Sequence, residues 1–194
     1  MHMNREGVLD FVDELSRVTF QRYDVMTVGE ANGVSPAQAL EWVGAKHRRL
    51  SMLLQFEHWT LWSHDPHAAL DVIELKRILS RWQKTLNGRG WNALYLENHD
   101  LPRVVSRWGD PRHYRYESAT ALATMYLLMQ GTPFIYQGQE LGMANTEFDS
   151  LAQFDDVFAR NRIAQMRAEG RSEADILAEL SLIARDNART PMPW

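Results

Sequence analysis

NALYLENHDLPR, residues 92–103, opens as a short apolar strand and stops on four polar side chains in a row: Glu97, Asn98, His99 and Asp100. A strand that only filled a core would end at a Gly or Pro turn. This one ends on hydrogen-bonding and ionisable groups. Three other apolar segments end on an acid as well: MTVGE on Glu30, LLQFE on Glu57 and FIYQGQE on Glu140. One acid after a strand is ordinarily an N-cap or a loop salt bridge, whereas four at four strand ends form a candidate site.

The segments between these strands read as helices. Apolar residues from Val8 to Phe20 recur at the spacing of a helix with one buried face. Ser35 is suited to an N-cap, with Pro36 at the first helical position. Residues 69–86 place Leu70, Val72, Ile73, Leu75, Ile78, Leu79, Trp82 and Leu86 at helical spacing, and Glu117–Gln130 is a further amphipathic run. The strands are read as YDVMTVGE, SMLLQFEHW, NALYLENHD and TPFIYQGQELG, apolar on both faces. Apolar strands alternating with helices predict an α/β fold with a parallel sheet. In such a sheet all strand ends lie on one side. Both a (β/α) barrel and an open doubly wound sheet bind ligands there. Residues 153–169 and 173–184 predict two more helices joined at Gly170, and RDNARTPMPW (185–194) reads as an irregular loop. Arg103 to Arg115 reads as a solvated or site-lining loop.

Composition narrows the chemistry. The net charge is -4, which disfavours nucleic acid and anionic membranes as partners, because both require a basic face. There are no cysteines, so disulfides, thiolate metal sites and a Cys nucleophile are excluded. No apolar run reaches membrane-spanning length and the first residues carry charges throughout, which together predict a soluble, cytoplasmic protein. No phosphate-binding glycine loop is present. The stretch SHDPH, with His64, Asp65 and His67, offers metal-ligand types, but Pro66 interrupts it and no helical His pair accompanies it. No metal and no cofactor is expected. Carboxylates set among Asn, His, Trp and Tyr suit a polyhydroxylated ligand, and glycoside hydrolysis needs two carboxyl groups in different protonation states.

Five blocks carry a resemblance: MTVGE at 26–30, LLQFEHW at 53–59, WQKTLNGRGWNALYLENHDLPRVVSRWGD at 82–110, GTPFIYQGQELGM at 131–143 and RDNARTPMPW at 185–194. In this order they resemble the second half of the catalytic barrel of the α-amylase superfamily, glycoside hydrolase family 13. Within it they are most similar to the oligo-1,6-glucosidase and α-glucosidase branch, which also holds dextran glucosidases, trehalose-6-phosphate hydrolases and sucrose isomerases. The resemblance runs from about Met3 to the last residue. It implies a partial (β/α)8 TIM barrel, roughly strands five to eight with their helices, plus C-terminal helices, with residues 1–194 as one barrel half and no second domain.

The resemblance also implies roles. Glu30 matches the general acid/base, which must hold its proton near neutrality and so calls for a buried setting. His99 and Asp100 match the pair that binds sugar hydroxyls innermost, Asp100 being the carboxylate that favours an oxocarbenium-like transition state. Arg103, Arg107 and Arg189 are expected near the aglycone side. The implied reaction is retaining hydrolysis of terminal α-linked glucose from short isomalto- or malto-oligosaccharides, through a covalent glycosyl-enzyme. Isomerisation or transglycosylation, and a non-catalytic carbohydrate-binding remnant of the barrel, are the alternatives.

Several positions depart from the family pattern. Its nucleophile, an Asp in a G-F-R-x-D type motif, finds no match and belongs upstream of Val8, as do the first four strands. The family's metal site, where present, also lies in an early loop. Gln139 and Pro193 stand where Glu and Gln are usual, and Glu97 stands where Asn is commoner, a change expected to tune a subsite. A half-barrel alone exposes two strand edges, so weak stability or self-association, without turnover, is expected of this piece by itself.

Overall fold

Four short strands, β1 (Val28–Glu30), β2 (Met52–Leu54), β3 (Asn92–Leu94) and β4 (Thr132–Pro133), pair in parallel and in chain order. The computed structural model describes residues 4–47, 49–62, 65 and 67–193. The register runs Glu30 to Leu54, Leu54 to Ala93 and Ala93 to Thr132. Chain order without reversal decides between the two sheet architectures. A doubly wound sheet reverses its strand order at a switch point, and an arc of a (β/α) barrel does not.

The strands are shorter than the apolar runs that encode them. Glu57 starts a 3-10 helix (Glu57–Leu61), and Gln139–Leu141 forms another. β2 and β3 are largely buried, while β1 and β4, at the edges of the sheet, are half-buried to exposed.

By contact density the chain divides into two units. The first comprises residues 1–62, 71–94 and 126–134 and contains the whole sheet. Its helices are α1 (Val8–Val18), α2 (Pro36–Val43) and α3 (Val72–Leu86). The expected cap on α2 is present as a full capping box, with Ser35 accepting from the Gln38 N–H and Gln38 returning to the Ser35 N–H. α3 starts later than its apolar pattern because Asp71 caps it, accepting from the Glu74 N–H at 2.9 Å. Leu75, Ile78, Trp82 and Leu86 form its buried stripe. Ile78, Trp82 and Leu86 of this stripe pack with Leu53, Ala39, Val43, Ala31 and Val34 into this unit's core. Gln83 extends α3 toward β4, donating to the Gln130 carbonyl at 2.8 Å and accepting from the Gln130 N–H at 3.0 Å.

α1 departs from expectation. Its pattern predicts a buried apolar face, yet Phe11, Leu15 and Val18 are exposed and Ser16 is its buried residue. Helical spacing shows that an apolar stripe exists, not that something covers it.

The second unit comprises residues 63–70, 95–125 and 135–194. It contains α4 (Val104–Trp108), α5 (Arg115–Leu127, whose last two residues belong to the first unit), α6 (Val157–Ala168) and α7 (Glu173–Ile183). α4 was expected as loop. It is a five-residue helix whose Val104 and Val105 are buried. α6 and α7 form a hairpin at the predicted Gly170. With φ +79° there, the Gly170 N–H reaches the Arg167 carbonyl and the Arg171 N–H reaches the Met166 carbonyl. This is the Schellman closure, which favours glycine at the left-handed position. Phe154, Ala159, Ile163, Met166, Ile176, Leu180 and Ala184 form this unit's core.

Glu179 ties the hairpin together by accepting from Arg162 at 3.0 Å and Arg171 at 2.5 Å. Burial works to raise its carboxyl, but the two guanidiniums outweigh that and hold it below the ordinary 4.5. A depressed acid adds stability above its unfolded value, and the contribution is lost as pH falls through the lower folded value. The Glu179→Gln variant is therefore expected to lose about 1–2 kcal/mol at pH 7. Its deficit against wild type should shrink below pH 4.5, as read by denaturant titration at several pH values. A pH-independent deficit would assign the loss to packing.

Candidate active site

The five acids after the strands have separate fates. Glu30, in the first unit, is the last residue of β1 and is exposed. The buried setting expected for a general acid is thus not supplied by its neighbours in this chain. Glu57 is engaged by α3: its Oε2 accepts the Trp82 indole N–H at 2.7 Å, and its Oε1 accepts from Arg81. Next to it, His58 is buried, 2.7 Å from the Gln55 amide through Nδ1. Burial pushes its imidazole down to about 4, so it is a neutral core histidine at pH 7.

In the second unit, Glu97 and Arg103 are 1% and 0% exposed at their side chains and form a buried ion pair, Nη1 to Oε1, at 3.0 Å. The other Glu97 oxygen accepts the Val104 N–H at 2.6 Å. Burial raises the Glu97 carboxyl, opposed by that N–H and by Arg103. The guanidinium also donates to the Gln137 carbonyl at 2.7 Å and lies over the Tyr136 ring, 5.2 Å from its centroid. Gly138 permits this closure. A Cβ there would lie 2.0 Å from the Met143 sulfur, which packs on Arg103. Two expectations are therefore corrected. Arg103 has no face open to a sugar, and Glu97 locks the start of α4 instead of tuning a subsite. A buried guanidinium needs a carboxylate partner, and Glu97, six residues earlier, is that partner.

Glu140 is exposed on the 3-10 turn after Gly138. Arg107 is half-buried and donates to the Asp65 carbonyl at 3.2 Å; burial lowers its guanidinium, opposed by Asp65.

His99 and Asp100 lie at the surface of the second unit, His99 exposed and Asp100 partly so. Asp100 Oδ1 accepts from Arg185 Nη1 at 2.8 Å and from Arg189 Nη2 at 2.9 Å. Its Oδ2 lies 3.5 Å from His99 Nε2. Arg189 Nε also donates to the His99 carbonyl at 2.9 Å. Both arginines reach a second carboxylate, Asp156: Arg185 Nε at 2.7 Å from Oδ1 and Arg189 Nη1 at 2.8 Å from Oδ2. Two carboxylates and two guanidiniums thus close a ring of balanced charge. Of its four members, Asp100 and Arg189 were expected at the site; Arg185 and Asp156 were missed.

The segment read as an irregular loop builds that ring. Arg185–Ala188 is a 3-10 turn with Asp186, Asn187 and Ala188 buried. Asp186 accepts the N–H groups of Asp155 and Asp156. Asn187 donates to the Ser181 and Ala184 carbonyls and accepts the Thr146 N–H. Asn145 links the same region to the ENHD segment, accepting the Arg103 N–H and donating to the Ser181 and Leu182 carbonyls. The inward residues of RDNAR anchor the turn, so the arginines that flank them reach Asp100.

Among the described residues no group of three or more His, Asp or Glu side chains could hold a metal ion. His64 and Pro66 of the SHDPH reading lie outside the described residues. No described helix is long and apolar enough to cross a membrane.

The chain is similar in sequence and fold to known proteins. The probable oligo-1,6-glucosidase 3 of Bacillus subtilis (strain 168) is 50% identical over 193 residues, covering all of this chain and 35% of that protein. The oligo-1,6-glucosidase of Parageobacillus thermoglucosidasius is 43% identical over 201 residues, again across all of this chain and 35% of that protein. The crystal structure of Bacillus licheniformis trehalose-6-phosphate hydrolase matches with a TM-score of 0.91 at 42% identity, over 97% of this chain and 35% of that one. The isomaltulose synthase of Klebsiella sp. LX3 matches with a TM-score of 0.85 at 34% identity, over the same shares. The chain spans about a third of the length of the relatives it matches. Residues 1–194 match the family described as Alpha amylase, catalytic domain, and the chain belongs to that family.

Proposed function

We propose that this chain is part of a retaining α-glucosidase that releases terminal α-linked glucose from short isomalto- or malto-oligosaccharides. The observation that carries the reading is the 50% and 43% identity to oligo-1,6-glucosidases over matches that cover the whole chain. The hydrolase reading is favoured over isomerisation because the isomaltulose synthase is more distant, at 34%. Glu30 acts as general acid/base, and Asp100 with His99 and Arg189 holds the sugar hydroxyls. Asp100 strengthens its hold as the ring flattens toward an oxocarbenium ion. The nucleophile comes from residues outside this chain. So does the covering for the edges at β1 and β4 and for the exposed stripe of α1.

The test uses the full-length gene product with isomaltose and maltose for preference, and with p-nitrophenyl α-glucoside, which releases a single glucose, for stereochemistry read by proton NMR. The expected result is α-glucose first from the nitrophenyl glycoside, with isomaltose preferred over maltose. Initial β-glucose from the nitrophenyl glycoside would overturn the retaining mechanism, and no glucose from any of the three would overturn the hydrolase reading.

A further inference from the structure

The Asp100 carboxylate does not face the solvent alone. One oxygen is filled by two guanidiniums, and both are shared with Asp156, whose side chain is 6% exposed. Asp156 is itself fixed from two directions. Its carboxylate caps α6 by accepting the Phe158 N–H at 2.8 Å, and its backbone N–H donates to Asp186 at 3.1 Å. We infer that Asp156 is a positioning residue for Asp100: by sharing Arg185 and Arg189 it holds both guanidiniums at Oδ1 and keeps Oδ2 for a substrate hydroxyl.

The physical case rests on charge and geometry. Two guanidiniums beside a single carboxylate would draw both of its oxygens into bidentate pairs, the preferred arginine–carboxylate geometry. A second carboxylate at the other end of each arginine supplies the competing partner and neutralises the surplus charge. Burial works to raise the Asp156 carboxyl, but Arg185, the Phe158 N–H and Arg189 outweigh it and hold it below the ordinary range. It therefore stays anionic wherever an enzyme of this kind would work. Asp156 touches no substrate in this scheme; it acts through the arginines on the orientation of Asp100. The inference rests on the proposed role of Asp100.

The test compares wild type, Asp156→Asn, Asp100→Asn, the double variant and Glu179→Gln in the full-length gene product. Glu179 is a control of similar build, a carboxylate between two arginines in the same unit, Arg162 and Arg171, neither of which pairs with Asp100. Asp156→Asn is expected to lower kcat about a hundredfold, the cost of a misplaced catalytic group, while KM changes little. Glu179→Gln should leave kcat unchanged. In the Asp100→Asn background, Asp156→Asn should cause no further loss, because its route of action is already gone. A folded Asp156→Asn protein with wild-type kcat, or losses that multiply in the double variant, would overturn the inference. Calorimetric titration with 1-deoxynojirimycin reads the same cycle without turnover. Wild type that binds this iminosugar but does not hydrolyse α-glucosides would sink the hydrolase reading alone. The binding cycle would then decide on Asp156 by the same criterion of additivity.

Discussion

Replacing Glu30 by Gln in the full-length gene product is expected to lower kcat for isomaltose by about 10²–10⁴-fold, the usual contribution of a positioned acid/base. Gln is isosteric but can neither donate a carboxyl proton to the departing sugar oxygen nor take one from water. The two half-reactions can be separated. A 2,4-dinitrophenyl α-glucoside needs no protonation to leave, so the variant should still form the glycosyl-enzyme with it. Turnover should then stall at the second step, where water needs a base. Azide needs none, and should restore turnover by giving α-glucosyl azide. The basic limb of the pH profile should vanish with the acid. Wild-type turnover of isomaltose by Glu30→Gln, or failure of azide to rescue a folded variant, would remove Glu30 from this role. The exposure of Glu30 at the end of β1 sharpens the experiment. If Glu30 is the acid, its burial has to come from residues beyond its neighbours here, and the pH profile of the full-length protein tests that directly.

The second large effect is on stability. Glu97→Gln or Arg103→Ala should destabilise the folded protein by about 3–5 kcal/mol, because each leaves a charge buried without its partner. The 0% exposure of Arg103 and its contacts with Glu97, Gln137 and Tyr136 set the size of the loss. Replacing both, as Glu97→Leu with Arg103→Met, should recover more than half of it, since no orphaned charge remains. KM for isomaltose should stay within a few-fold of wild type in any variant that still folds. Denaturant titration and steady-state kinetics check the two halves. A marginal stability change with a large rise in KM would return Arg103 to the substrate-contacting residues.

The ring around Asp100 bears on why arginines near a site are hard to assign from sequence. Arg103, Arg107, Arg185 and Arg189 all fall in or near motif blocks. One is sealed in the core, one is half-buried against the Asp65 carbonyl, and two hold Asp100. A guanidinium serves equally as a core cation, a carbonyl donor or a carboxylate clamp. Spacing along the chain does not distinguish these uses. What separates them is the partner each meets: Glu97 six residues away for Arg103, the Asp65 carbonyl for Arg107, and the sequence-distant Asp100 and Asp156 for Arg185 and Arg189. As an N-cap Asp156 carries a recognisable local signal, yet its partners are Arg185 and Arg189, some thirty residues on.

Features that depend on short-range physics are legible along the chain. The order of the strands and longer helices, the N-cap at Ser35, the helix junction at Gly170 and the apolar stripe of α3 all follow from local periodicity and backbone preference. So does the placement of polar residues after apolar strands. Tertiary structure alone decided which of those residues stay available. Glu57 is taken up by Trp82 and Arg81, and Glu97 by Arg103, while Asp100 is presented between two arginines. It likewise decided that the apolar stripe of α1 lies exposed. The reason is the same throughout. Local sequence sets a side chain's direction and chemistry, but the fate of a charge or an apolar face depends on what a distant segment brings to it, and the free energy of that meeting is not written at either position alone.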